Sequence, residues 1–249
     1  MKTLNPNWIV GFVDGNGHFI FSNDQSTLNF VIPLDHRSLN VLYLIKSFFK
    51  CGSVKKTIHP NQIRKNMREY RVSSHTHLKN IIIPFFQKWP LQTSKKKSFE
   101  RFVEKINPAV ERSSFEFPEQ SKLNLEWFIG FLDAKACFNC SIHNRTIQPQ
   151  FRICLPQKEK SILDRIQHNF NFGVRYQRTN GVEIFQLNSN KNMCYLAKKI
   201  LLTKGFKDRL KTSKRIRARK WCKIVFLIEQ KQHTTMDGWT KIRKLYQSF

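Results

Sequence analysis

Acidic side chains are scarce in this sequence. Its 249 residues include 17 Asp plus Glu against 44 Lys plus Arg, a formal charge of +27. So large an excess repels itself unless a polyanion neutralises it, which points to nucleic acid or an anionic membrane surface. Long apolar runs are missing too. No segment reaches the roughly 18 consecutive apolar residues of a membrane span, and the stretch Ile81 to Phe86 is interrupted by Pro84. A spanning helix is excluded, and nucleic acid is the expected partner. The opening Met1-Lys2-Thr3-Leu4-Asn5-Pro6 has neither a signal-peptide core nor an Arg- and Ser-rich transit stretch, so a mature form or local synthesis is expected. Six cysteines, at 51, 137, 140, 154, 194 and 222, form no disulfide framework in a chain of this size. Cys137 and Cys140 have zinc-like spacing, but no second pair or His-x3-5-His completes a ligand set, and they are expected as buried strand residues. The histidines, among them His59, His75, His77, His143, His168 and His233, form no HExxH. No metal site is expected.

What the sequence does have is apolar mass, 40% hydrophobic and 13% aromatic, enough for one large domain or two smaller ones. It also repeats itself. Leu4 to Asp14 reads against Leu123 to Asp133 at an offset of 119, with Trp8, Gly11, Phe12 and Asp14 matching Trp127, Gly130, Phe131 and Asp133. Phe30, Ile32 and Leu34 pair with Phe151, Ile153 and Leu155 at 121, and Thr93-Ser94-Lys95-Lys96 recurs as Thr212-Ser213-Lys214-Arg215 at 119. The chain therefore divides into a first repeat over 1–106, a linker over 107–121 carrying two prolines, and a second repeat over 122–249.

Periodicity predicts a helix over 6–14, capped by Asn5 with Pro6 in its first turn. Its apolar residues fall on nearly every side, so it must be packed all round. Gly11 and Gly130 sit where two such helices could approach closely. Strands are expected over 18–21, 28–34, 53–58 and 69–73, with helices over 38–50 (closed by Gly52), 78–88 and 98–106. The unit is αββαββα, an α+β fold stated twice.

Ile9-Val-Gly-Phe-Val-Asp-Gly-Asn-Gly17 and Phe128-Ile-Gly-Phe-Leu-Asp-Ala-Lys-Ala136 resemble the two signature helices of a single-chain LAGLIDADG homing endonuclease. The Phe-x-Ile strands, Cys51-Gly52, Trp89-Pro90-Leu91 before Lys95-Lys96-Lys97, and His233 to Trp239 extend the resemblance over essentially the whole chain. It implies two tandem αββαββα subdomains related by a pseudo-twofold axis. The motif helices would pack through Gly11, Phe12, Gly130 and Phe131, and saddle-shaped antiparallel sheets would lie in DNA major grooves. It implies further that an acid at the eighth motif position of each helix binds the divalent cations that cut DNA. The hard cation Mg²⁺ prefers such anionic oxygen ligands.

At that position stand Asn16 and Lys135. An amide is a weak ligand and an ammonium offers no acceptor at all. Coulomb repulsion between Lys135 and a divalent cation adds a further penalty. No catalytic site is expected intact, and no cofactor; Mg²⁺ would enter only if the chain were an active endonuclease. Asp14 and Asp133 remain at the sixth position, which supports the helix end, and they point away from the eighth. Lys95 and Lys214 match the family's assisting basic residue, and without metal they reduce to phosphate contacts.

The basic excess is uneven. Residues 1–121 carry 18 basic and 9 acidic groups, residues 122–249 carry 26 and 8, and 12 of the 26 residues from Lys198 to Lys223 are Lys or Arg. Lys214, Arg215, Arg217, Arg219 and Lys220, with Trp221 as an aromatic anchor, suggest an arginine-rich helix of the kind that reads RNA. On the sheets, Lys55, Lys56, Arg64, Lys65, Arg68 and Arg71, then Arg152, Arg175 and Arg178, are candidates for the groove-facing surface. The expectation is a catalytically inactive family member binding structured organellar RNA in preference to duplex DNA. Two roles fit: an intron maturase, or a structural protein on mitoribosomal RNA, there beside ribosomal proteins. Such a chain would be a monomer with internal symmetry, without a membrane partner, encoded in a mitochondrion or plastid. The alternatives are an active or nicking endonuclease on double-stranded DNA and a site-specific DNA-binding repressor.

Overall fold

The computed structural model describes residues 4–22, 27–57, 66–107, 122–144, 146–203 and 209–249. Asn5 caps α1 (Pro6–Asn16), its side-chain oxygen accepting from the Asn7 amide at 2.8 Å. The helix runs two residues beyond the predicted end, so Asn16 closes it and Gly17 follows in extended backbone. Next come β1 (His18–Phe21), β2 (Leu28–Asp35), α2 (Leu39–Phe49), β3 (Ser53–Lys56) and β4 (Met67–Val72). The left-handed residue that ends α2 is Lys50, at φ 54°, two residues ahead of the predicted stop at Gly52. A helical turn, His75–His77, leads through a π-helical stretch, Leu78–Ile82, into α3 (Ile83–Lys88). Pro84 lies inside this continuous helical run just after the π-helical stretch, whose wider turn accommodates a residue without an N–H. Then follows α4 (Lys95–Ile106).

The second repeat opens with α5 (Leu125–Lys135) and continues through β5 (Ala136–His143), β6 (Thr146–Pro156), α6 (Lys160–Phe170), β7 (Val174–Gln177) and β8 (Val182–Gln186). It ends with α7 (Asn190–Tyr195), a π-helical stretch Leu196–Leu201, α8 (Lys214–Glu229) and α9 (Met236–Gln247). Each repeat builds one antiparallel four-stranded sheet, ordered β1-β2-β4-β3 and β5-β6-β8-β7. The α+β class and the doubled αββαββα order are those read from the sequence, and α9 is appended to the second copy.

Alternation on the strands places one face of each sheet under helices. In the first sheet Phe19 packs against Phe30 at 5.2 Å and against Phe86, Phe99 and Phe102. In the second, Phe138 and Phe151 face Trp221, whose position is that of Phe102 plus 119. Trp221 is thus a fully buried core residue and not a surface anchor.

Contacts divide the chain into compact units at Ala134/Lys135. Repeat boundary and packing boundary differ, because α5 is covered by the first unit. The two motif helices meet there. A Cβ on Gly11 would collide with the Trp127 carbonyl, and a Cβ on Gly130 with the Trp8 carbonyl. The contact is reciprocal and backbone to backbone, which only glycine allows. Trp8 stacks on Phe12 at 4.8 Å and Trp127 on Phe131 at 5.0 Å, all four buried.

Candidate nucleic-acid interface and the ends of the motif helices

Asp14 lies two residues before the end of α1 and is 4% exposed. Four donors converge on its carboxylate. Gln92 N donates to Oδ2 at 2.9 Å, Thr93 N and Oγ1 to Oδ1 at 3.1 and 2.6 Å, and Trp127 Nε1 to Oδ2 at 2.7 Å. Burial pushes its pKa above the ordinary carboxylate value, and the Thr93, Gln92 and Trp127 hydrogen bonds and the charge of Lys95 oppose that rise. The side chain ties α1 to the segment entering α4 and to α5. It is a structural pin, turned away from Asn16 as its spacing predicts. Asp133 is 1% exposed at the matching place on α5.

Asn16 and Lys135 end their helices half-buried. Burial lowers the pKa of Lys135, and the nearby charge of Glu159, itself 9% exposed, opposes that fall. An amide offers Mg²⁺ one neutral oxygen and an ammonium offers none, a poor fit to a cation that prefers anionic oxygens. Among the described residues no three His, Cys, Asp or Glu side chains gather in a group that could hold a metal ion. Lys95 folds back so that Nζ donates to the Val13 carbonyl at 2.9 Å, on the end of α1. Lys214 starts α8 half-buried.

The strand registers sort the predicted basic residues by face. On the open face of the first sheet, away from the helices, Arg71 lies in a row with Val31 and Ser53, and Lys55 in a row with Glu69 and Pro33. Lys55 is exposed, whereas Arg71 donates from Nε to Glu69 at 2.7 Å. Arg68 and Lys56 have the opposite parity, in line with buried Leu34, so they do not belong to the open face. Arg64 and Lys65 lie outside the described residues. On the second sheet Arg152 pairs with Cys137 and Gln186 on the open face, and exposed Arg178 follows β7 with the parity of Tyr176.

Arg175 is corrected. It stands opposite buried Phe185 on the helix-covered face, donating to Asp164 on α6 at 2.5 Å and to buried Glu183 at 2.6 Å. The arginine-rich helix is corrected as well. Arg217 Nε donates to the Phe249 carbonyl at 2.9 Å and Lys220 Nζ to the Ser248 carbonyl, so both fasten the end of α9 to α8. Arg215 and Arg219 are exposed.

Sequence reasoning missed the neutral part of the surface. The open face of the second sheet carries Asn139, Ser141, Gln148, Gln150 and Gln186 beside Arg152. Amides have no charge to draw attention, and only strand register reveals that they share a face. Cys137, expected buried, is exposed on that face with Cys154, whereas Cys140 is buried beneath it.

A sequence profile described as "LAGLIDADG endonuclease" matches residues 9–106 and 128–225. The chain belongs to this family. It is 24% identical over 250 residues to an uncharacterised cox1 intron-2 37.2 kDa protein of Schizosaccharomyces pombe, covering 95% of this chain and 70% of that protein. It is 30% identical over 160 residues to a probable intron-encoded endonuclease 4 of Neurospora crassa, covering 62% of this chain but 28% of that protein. The chain thus spans less than a third of the Neurospora relative. Among solved structures it resembles the LAGLIDADG homing endonuclease I-GzeII in complex with its DNA target (TM-score 0.82, 21% identity, 99% of this chain and 98% of that one). It also resembles I-SmaMI bound to uncleaved DNA with calcium (TM-score 0.79, 21% identity, 99% of each chain). At these identities the likeness is one of fold.

Proposed function

We propose that this chain holds nucleic acid on the open faces of its two sheets and does not cut it. The replacement by Asn16 and Lys135 of both acids that the resemblance implies as metal ligands carries the second half of that statement, since an amide is a weak ligand for a divalent cation and an ammonium is none. The charge of +27 supports the first half. Duplex DNA is the ligand these faces fit best. An open, twisted sheet can enter a major groove, and amide and arginine side chains match base edges there.

Folded RNA of the intron or ribosomal class is the second reading. One observation favours it: Lys223, Lys231, Lys241, Arg243 and Lys244 are exposed on the helical layer of the second repeat, away from the open face. The arginine-rich helix supports it less, since Arg217 and Lys220 are engaged at the end of the chain's last helix. The relatives encoded in introns, one named for a cox1 intron, support an organellar setting.

Crosslinking the native chain and sequencing what co-purifies tests the ligand. Recovered duplex fragments support the first reading, and spliced or ribosomal RNA alone supports the second. Labelling with a maleimide supplies the geometry. Cys137 and Cys154, exposed on the open face, should lose reactivity when that ligand binds. Unchanged labelling would place the ligand elsewhere.

A further inference from the structure

The two sheets share a strand order but differ in the reach of their first hairpin. Among the described residues β1 and β2 pair over four positions, His18 to Phe21 against Val31 to Leu28. The β5–β6 hairpin pairs over eight, Ala136 to His143 against Ile153 to Thr146. Arg152 to Pro156 of β6 pair with β8, and Leu187 N still donates to the Phe151 carbonyl, so Thr146 to Gln150 run past that end as a two-stranded arm with β5. Pro149 lies on that free edge, where a residue without an N–H is tolerated.

The arm has two unlike sides. Its back, with Cys140, Ile142 and Ile147, packs on Ile224, Leu227 and Ile242 of α8 and α9, the pair closed by the bonds from Arg217 and Lys220 to the chain's last carbonyls. A buttress of this kind keeps a hairpin straight when it would otherwise be marginal. The front is almost entirely neutral and polar. Asn139 faces Gln150, and Ser141 faces Gln148. A cleft of about 380 Å³ at the free edge is lined by Gln148, Gln150, Arg152, Gln186, Asn188 and Asn190 over an apolar floor. Gln150 Nε2 donates to Ser141 Oγ and the Tyr176 hydroxyl to Gln186 Oε1, both at 3.3 Å, which orients two of these amides across the face.

Among its described residues the first sheet offers no such row. Its amide on the open face, Asn29, is 6% exposed and accepts from Ser73 Oγ at 2.5 Å. Its neighbours Val31 and Pro33 are apolar, and Arg71 is held by Glu69.

We propose that the β5–β6 arm reads adenine in the major groove of duplex DNA, with Gln148, Gln150 and Asn139 as the specificity-determining residues and Arg152 on a neighbouring phosphate or guanine. An amide offers one donor and one acceptor on the same plane, the match for adenine N7 and N6, while guanine presents two acceptors that suit arginine. A two-stranded ribbon fits a major groove, and the chain's positive charge draws the duplex in. The half-site under the second repeat is therefore A·T-rich, and the half-site under the first is read less strictly. This rests on the duplex-binding reading above.

Selection of bound sequences from a randomised duplex library by the full chain tests it, with recovered strands also examined for breaks. Neighbouring A·T pairs should be enriched in one half-site. Replacing Gln148→Ala together with Gln150→Ala should erode that enrichment on the order of ten-fold. Both positions are at the surface of the arm, and an unchanged far-ultraviolet spectrum would show the fold intact. Binding without positional preference, or a preference that survives the double replacement, would overturn the adenine reading while leaving the grip standing. Broken strands would overturn the non-cleaving reading and leave the base preference standing. A chain that retains no duplex would overturn both.

Discussion

Two stretches of the same motif helix have been treated in opposite ways. Between Trp8 and Asp14 everything that holds the family fold is present: the glycine at the crossing, the stacked Trp8 and Phe12, and a carboxylate that collects four hydrogen bonds. Two residues further on, where the resemblance implies an acid, stands the amide Asn16, and its counterpart on α5, Lys135, carries a positive charge. The lesson is that the residues packing this motif are separate from the position where the resemblance implies a metal-binding acid, so the two can vary independently.

The largest effect should come from the crossing. Gly130→Leu places a side chain into the Trp8 carbonyl, and the variant should lose more than about 4 kcal/mol and fail to give a cooperative unfolding transition. A stable variant would break the assignment of this contact. Next, Asp14→Ala strips the acceptor from the Trp127 indole, the Thr93 hydroxyl and two backbone amides, which should cost about 3 kcal/mol in chemical denaturation. A loss below about 1 kcal/mol would show that the carboxylate is not the pin described. At the end of the same helix Asn16→Ala should change stability by less than about 0.5 kcal/mol. Equal effects at 14 and 16 would erase the distinction between scaffold and foot.

The smallest effect is a pH dependence at Lys135. Its folded pKa is lowered, so between that value and 10.5 the unfolded chain binds a proton that the folded chain has released. Stability therefore rises with pH through that window, relative to Lys135→Met. Denaturant midpoints for the two chains, followed toward pH 10.5, should converge or cross in that direction. The opposite slope would mean that Glu159 holds the ammonium more firmly than burial opposes it.

Much of this was legible in the sequence. The 119-residue offset fixed the repeat, the all-round apolar helices called for a mutual interface, and Gly11 and Gly130 marked the crossing. The sequence also showed that Asn16 and Lys135 occupy the eighth motif position of their helices. The interface was less legible because charge is a poor guide to facing. Arg175 and Arg217 are as basic as Arg152, yet one is committed to Asp164 and Glu183 and the other to the Phe249 carbonyl. A one-residue shift in strand parity separates Arg71 from Arg68. The amide row on β5 and β6 became visible only through the cross-strand register. Trp221 read as a surface anchor beside arginines, but the long-range contact with Phe138 makes it core.

The central claim is that the grip remains and the cut is gone. Its most direct test incubates the purified chain with the nucleic acid that co-purifies with it, in Mg²⁺ and separately in Mn²⁺, and resolves the strands under denaturing conditions. The account predicts full-length strands in a stable complex. A discrete, metal-dependent break made by the unaltered chain would contradict it.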